Sequence, residues 1–75
     1  MIKELDTVIL TEDLSEHGLK RGDIGTVVLL HDHRGYEVEF MTLDGETIAV
    51  VSLTPQQVRA VGRREIAQAR PVNIG

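Results

Sequence analysis

Apolar residues along this chain fall into short runs, some alternating with polar residues and some unbroken, separated by connections rich in glycine and acid. Asp6-Thr7-Val8-Ile9-Leu10 is rich in β-branched residues and predicts a first strand. Thr11 to Lys20 is a polar connection whose Leu14 and Leu19 are expected to tuck back onto the core. Lys20-Arg21-Gly22-Asp23 predicts a turn with Gly22 at positive φ. Gly25 begins the second strand, where its missing side chain leaves room for a bulge or a close backbone approach, and Thr26 to Leu30 continues it. After the polar hairpin His31–Gly35, Tyr36-Glu37-Val38-Glu39-Phe40 alternates, which points Tyr36, Val38 and Phe40 inward and the two glutamates to water. Asp44-Gly45 predicts a tight hairpin turn into a fourth strand around Ile48–Val51. Thr54-Pro55-Gln56-Gln57 has the form of a capping box and predicts one 3₁₀ turn, followed by a fifth strand at Val58–Val61 that Gly62 ends.

Residues 1–62 therefore read as one small all-β barrel. Residues 63–75 read as a basic C-terminal extension, docked or partly flexible, with a short helix and a further strand around Ile66 both open. The predicted core is Val8, Leu10, Leu19, Ile24, Val27, Leu29, Val38, Phe40, Ile48, Val50, Leu53 and Val58. The second and fourth strands are apolar on both faces. With that core, Val28, Leu30, Ala49 and Val51 form an outer apolar patch that needs cover, from the tail, from a second copy or from another protein.

A chain of 75 residues with no cysteine has neither a disulfide nor a cysteine-bound zinc to support so thin a core. No apolar run approaches the roughly 20 residues that cross a bilayer, and Met1–Asp6 lacks the pattern of a signal peptide. A soluble cytoplasmic protein is the expectation. The net charge of −4 speaks against general nucleic-acid binding. It is unevenly placed: up to Leu53 there are 4 basic and 11 acidic residues, and from Thr54 on 4 basic and 1 acidic. An acidic barrel with a basic tail favours docking of the tail on its own barrel.

Candidate chemistry is sparse. His31-Asp32-His33 puts two imidazoles on one side of a strand, but two ligands are too few for a metal and His17 would have to converge on them. The carboxylates lie in loops or on water-facing positions, no nucleophile elbow surrounds Ser15 or Ser52, and no glycine-rich loop opens a helix. No catalytic, metal or cofactor site is expected. One tyrosine, one phenylalanine and no tryptophan leave little for a proline-peptide groove or a base-stacking platform. Arg59, Arg63 and Arg64 are a candidate basic spot for RNA, set against pairing with the barrel's own acids.

Leu19-x-x-Gly22-Asp23-x-Gly25-Thr26-Val27-Val28 resembles the entry loop and strand of SH3-like barrels, including KOW modules of ribosomal and transcription factors. Together with Leu5-Asp6-Thr7-Val8-x-Leu10, Tyr36–Phe40, Thr47–Val51 and Val58-Arg59, the chain resembles a family of short bacterial and cyanobacterial proteins with an SH3-like barrel. The resemblance covers about residues 1–70 and implies a stand-alone barrel with no assigned activity. Genes of that kind sometimes sit beside toxin-like genes, which implies the neutralising partner of a toxin-like protein. The expected fold is thus an all-β, five-stranded SH3-like barrel with a 3₁₀ turn before the last strand. The expected function is a non-enzymatic protein-binding module working by strand pairing and burial of the Val28, Leu30, Ala49, Val51 patch. The alternative is a KOW-like RNA or ribosome contact through Arg59, Arg63 and Arg64.

Overall fold

The computed structural model describes residues 1–32 and 34–72. Five strands run in chain order: β1 (Thr7–Leu10), β2 (Ile24–His31), β3 (Gly35–Met41), β4 (Thr47–Leu53) and β5 (Val58–Ala60). They form one antiparallel sheet in the order β4-β3-β2-β1-β5, so the expected all-β, five-stranded fold is present. Among the described residues no ladder joins β4 to β5, so these two are the edges. No helix is long and apolar enough to cross a membrane.

The local signals account for the connections. Leu14 and Leu19 exchange two backbone hydrogen bonds (2.9 and 3.1 Å) and both are buried, so the first connection is pinned at two points. The 3₁₀ segment Ser15–His17 lies between them. Gly22 takes φ 93°, as its turn requires. The β3–β4 hairpin is a three-residue loop: Gly45 N–H donates to Thr42 O (3.0 Å), and Thr42 N–H donates to Glu46 O (2.8 Å). Before β5, Gln57 N–H closes a single turn onto Thr54 O (3.0 Å), and the Gln57 side chain accepts from Thr54 N–H (2.9 Å). That is the backward half of the capping box. Thr11 then stitches the turn to the end of β1, donating from its N–H to Gln57 O (2.9 Å) and from its hydroxyl to Gln56 O (2.7 Å).

The core cluster is Val8, Leu10, Leu14, Leu19, Val27, Val38, Phe40, Leu53 and Val58, with Ile2, Tyr36, Ile48 and Val51 packed against it. Three residues expected inside are exposed instead: Ile24, Leu29 and Val50. Ile24 begins β2 one position before the expected start, pairs with Ile9, and so points opposite to Gly25 and Val27. Leu29 is displaced by a bulge. Val27 pairs with Val38 and Leu29 with Glu37, which leaves Val28 without a partner and inverts the alternation beyond it. The same happens on β4, where Ile48 is the extra residue between the Phe40–Ala49 and Met41–Thr47 pairs. Ala49 and Val51 therefore sit opposite Phe40 and Val38 on the core side, and Val50 sits opposite Glu39 on the outer side.

Candidate functional site

The outer face of the sheet divides into two halves. Over the β5–β1–β2 half, Ile9 alternates with the core residues Val8 and Leu10 yet is only 8% exposed. Its sheet neighbours on either side are Ile24 and Arg59. The tail lies over this half, and Val61 and Glu65–Arg70 line one shallow cleft together with Ile9 and Ile24. Residues 61–72 form neither a helix nor a strand; the segment around Ile66 runs irregularly across the sheet. Two ion pairs hold it. Arg59 grips Glu65 with two parallel hydrogen bonds, Nη1 to Oε2 (2.9 Å) and Nη2 to Oε1 (2.7 Å), and Gly62 N–H also donates to Glu65. These donors hold the Glu65 carboxyl at about 2, far below its ordinary 4.5, the arginine contributing most. Arg70 donates from Nε (2.8 Å) and Nη2 to the Asp23 carboxylate and from Nη2 to Gly18 O (3.2 Å). Burial pushes Asp23 up, but the Arg70 hydrogen bonds, the Lys20 backbone N–H and the two positive charges together hold it below the usual carboxylate range.

The expected basic spot is therefore divided. Arg59 is committed to Glu65, while Arg63 and Arg64 stand exposed on the turn that follows Gly62. Between the tail and the sheet runs a groove of about 430 Å³, lined by Ile24, Phe40, Met41, Leu43 and Ile48 on one side and by Ala67, Gln68, Ala69, Arg70 and Val72 on the other. Its charged groups are already engaged: Asp23 with Arg70, and Glu39 with Thr47. It offers apolar surface without converging polar groups.

The β2–β3–β4 half of the outer face has no such cover. Leu29 is 50% and Val50 54% exposed there, with Glu37 and Glu39 on the strand between them. Both glutamates lean over β4. Thr47 Oγ1 donates to Glu39 Oε2 (2.7 Å), and Ser52 Oγ donates to Glu37 Oε2. His31 Nε2 lies 2.6 Å from the same Glu37 oxygen, so that nitrogen carries the proton, because an ionised carboxylate only accepts. The serine hydrogen bond, then the histidine, hold Glu37 below its ordinary value. Glutamate, and not histidine, is the middle member of this Ser52–Glu37–His31 chain. The imidazole has no contact with the hydroxyl, and the arrangement does not activate Ser52 as a nucleophile.

Of the four residues expected in the outer patch, Ala49 and Val51 are half-buried on the core side. Leu30 lies opposite Tyr36, also on the core side, but 42% exposed, and Val28 is the half-buried bulge residue. The outer apolar surface is carried by Leu29 and Val50 in their place. No group of three or more metal-binding side chains occurs among the described residues, and His33 lies outside them. A feature that sequence reasoning passed over is the composition of β4. Its seven residues, Thr47-Ile48-Ala49-Val50-Val51-Ser52-Leu53, include no charge and no proline, and they form an edge.

No curated protein and no solved structure matches the chain. A family model does: it covers residues 4–60, from just before β1 to the last residue of β5, and stops where the tail begins. The chain belongs to that family, DUF4926, a domain of unknown function.

Proposed function

We propose that this domain is a protein-binding module that takes an extended segment of another protein as a sixth strand along β4. The observation that carries the reading is the unguarded edge. A strand bonded on one side presents a row of unpaired N–H and C=O groups, and proteins usually blunt such a row with lysine, proline or extreme shortness. The other edge, β5, is blunted in this way: it is three residues long, it carries Arg59, and the chain turns back across it. β4 has seven uncharged residues, among them Val50, which is open to water. Strand addition supplies affinity through main-chain hydrogen bonds and specificity through alternate side chains. Neutralising a toxin-like protein is one form of this activity, the toxin contributing the added strand. An RNA contact draws on less, because of the three arginines expected to carry it Arg59 is held by Glu65, leaving the exposed Arg63 and Arg64.

The test is Val50→Lys, which places a charge on the exposed side of the edge. The variant should keep the melting profile of the parent and lose the proteins that co-purify with it at about 0.5 M salt, where surface charge is screened. Retention of those proteins by Val50→Lys, together with their loss from Arg63→Ala/Arg64→Ala, would transfer the function to the basic turn.

A further inference from the structure

We infer that the segment received by β4 alternates apolar residues with lysine or arginine, the apolar ones facing the core side and the basic ones the outer side. This rests on the strand-addition reading above. On the core side, Ala49 and Val51 are half-buried opposite Phe40 and Val38, and Leu53 is buried. An added strand places its own inward residues beside them, so apolar residues there extend an existing core. On the outer side the edge is overlooked by two carboxylates. Glu39 and Glu37 belong to β3, but Thr47 and Ser52, both on β4, draw them toward the edge. Each hydrogen bond from β4 engages Oε2 of its glutamate. An ionised carboxylate has capacity for further donors.

The next strand would lie about 4.8 Å beyond β4, within reach of a lysine or arginine head. The surroundings favour the same sign: residues 24–53 contain five acids (Asp32, Glu37, Glu39, Asp44, Glu46) and one arginine, Arg34. A basic segment is steered to this end of the molecule, while an acidic one, or a second copy of so acidic a barrel, is repelled. The apolar stems of lysine and arginine also suit Val50, which is exposed on the outer side of the edge strand, opposite Glu39.

The experiment titrates the full isotope-labelled chain with three peptides of about nine residues that alternate valine with lysine, with serine or with glutamate. Readouts are the amide shifts of residues 47–53 and the dissociation constants. The lysine peptide should move those amides and bind about tenfold more tightly than the serine peptide, and salt at about 0.5 M should erase most of that preference. The double variant Glu37→Gln/Glu39→Gln should bring the lysine and serine peptides to within about twofold of each other. Equal binding of all three peptides at residues 47–53 overturns the basic partner while leaving strand addition intact. Shifts confined to other strands, or no binding by any peptide, overturn strand addition itself. Protection of residues 47–53 by dimerisation in the absence of peptide assigns the edge to a second copy and overturns the inference.

Discussion

Gly25 stands on β2 where side chains and backbone of β3 leave no room for a Cβ. A Cβ built on it would lie 2.5 Å from Val38 Cγ1, 2.8 Å from Phe40 Cε1 and 3.0 Å from the Glu39 carbonyl oxygen. Two of these atoms belong to buried core side chains and the third is backbone, so nothing nearby yields cheaply. Gly25→Ala should therefore lower unfolding stability by about 1–3 kcal/mol, the usual cost of overpacking, read from the urea midpoint. Leu29→Ser, four positions on, should change it by less than about 0.5 kcal/mol, because the bulge has already turned that side chain to water. A large loss there would mean that Leu29 belongs to the core. Glu65 provides a titration test. Its carboxyl sits at about 2 against an ordinary 4.5, chiefly because of Arg59. A lowered acid contributes its stabilisation fully above the unfolded value and loses it as pH falls toward the folded one, so the clasp weakens between about pH 4.5 and 2. Arg59→Gln should move the Glu65 titration, followed by carboxyl NMR, upward toward its ordinary value. An unmoved titration would mean that the pair does not form in solution.

At the scale of elements, what the sequence made legible depended on whether a strand carries its own phase. In β3, Glu37 and Glu39 mark the wet face, and Tyr36, Val38 and Phe40 fall inward as the alternation requires. β2 and β4 carry no such marker. Val27–Leu30 and Ile48–Val51 are apolar at every position, so the composition fits either phase, and one extra residue at Val28 and another at Ile48 decided it. The candidate surface inherits that ambiguity: the absence of charge in Thr47–Leu53 was readable, but the choice of Val50 over Val51 as its exposed residue was not. The tail has no apolar period at all, and its course follows two ion pairs that composition only hinted at. A matched pair of variants tests the phase of β4. Val51→Asp puts a short charge opposite Val38 against the core and should cost more than about 2 kcal/mol, whereas Val50→Lys on the other face should stay within about 0.5 kcal/mol. Reversal of that order in thermal denaturation would invert the register of β4.

For the whole molecule, the tail is a question of how much of a small domain's stability lies outside the sheet. The family match ends at residue 60, and the last strand ends at Ala60, so the chain up to Gly62 contains every strand and the whole core cluster. What it lacks is the segment running over Ile9 and Ile24, the Arg70 contact with Asp23 and the Glu65 contact with Arg59. Partial exposure of one isoleucine, with loss of the Arg70–Asp23 pair, amounts to about 1 kcal/mol, and the Arg59–Glu65 pair, open to water, adds little to it. In a domain of this size that corresponds to a fall in Tm of about 4–8 °C. Removing residues 63–75 also takes away three arginines and one glutamate, so the net charge goes from −4 to −6 and the acidic barrel repels itself more. The two contributions respond differently to salt. Screening weakens the two ion pairs and the self-repulsion and leaves the apolar cover unchanged. Melting the full and shortened chains at about 0.05 and 0.5 M salt should give a difference in Tm that shrinks at high salt without vanishing. Disappearance of the difference would reduce the tail's hold to charge alone. Equal Tm values at both salts would mean that the tail stabilises nothing and that Ile9 is shielded by its neighbours within the sheet.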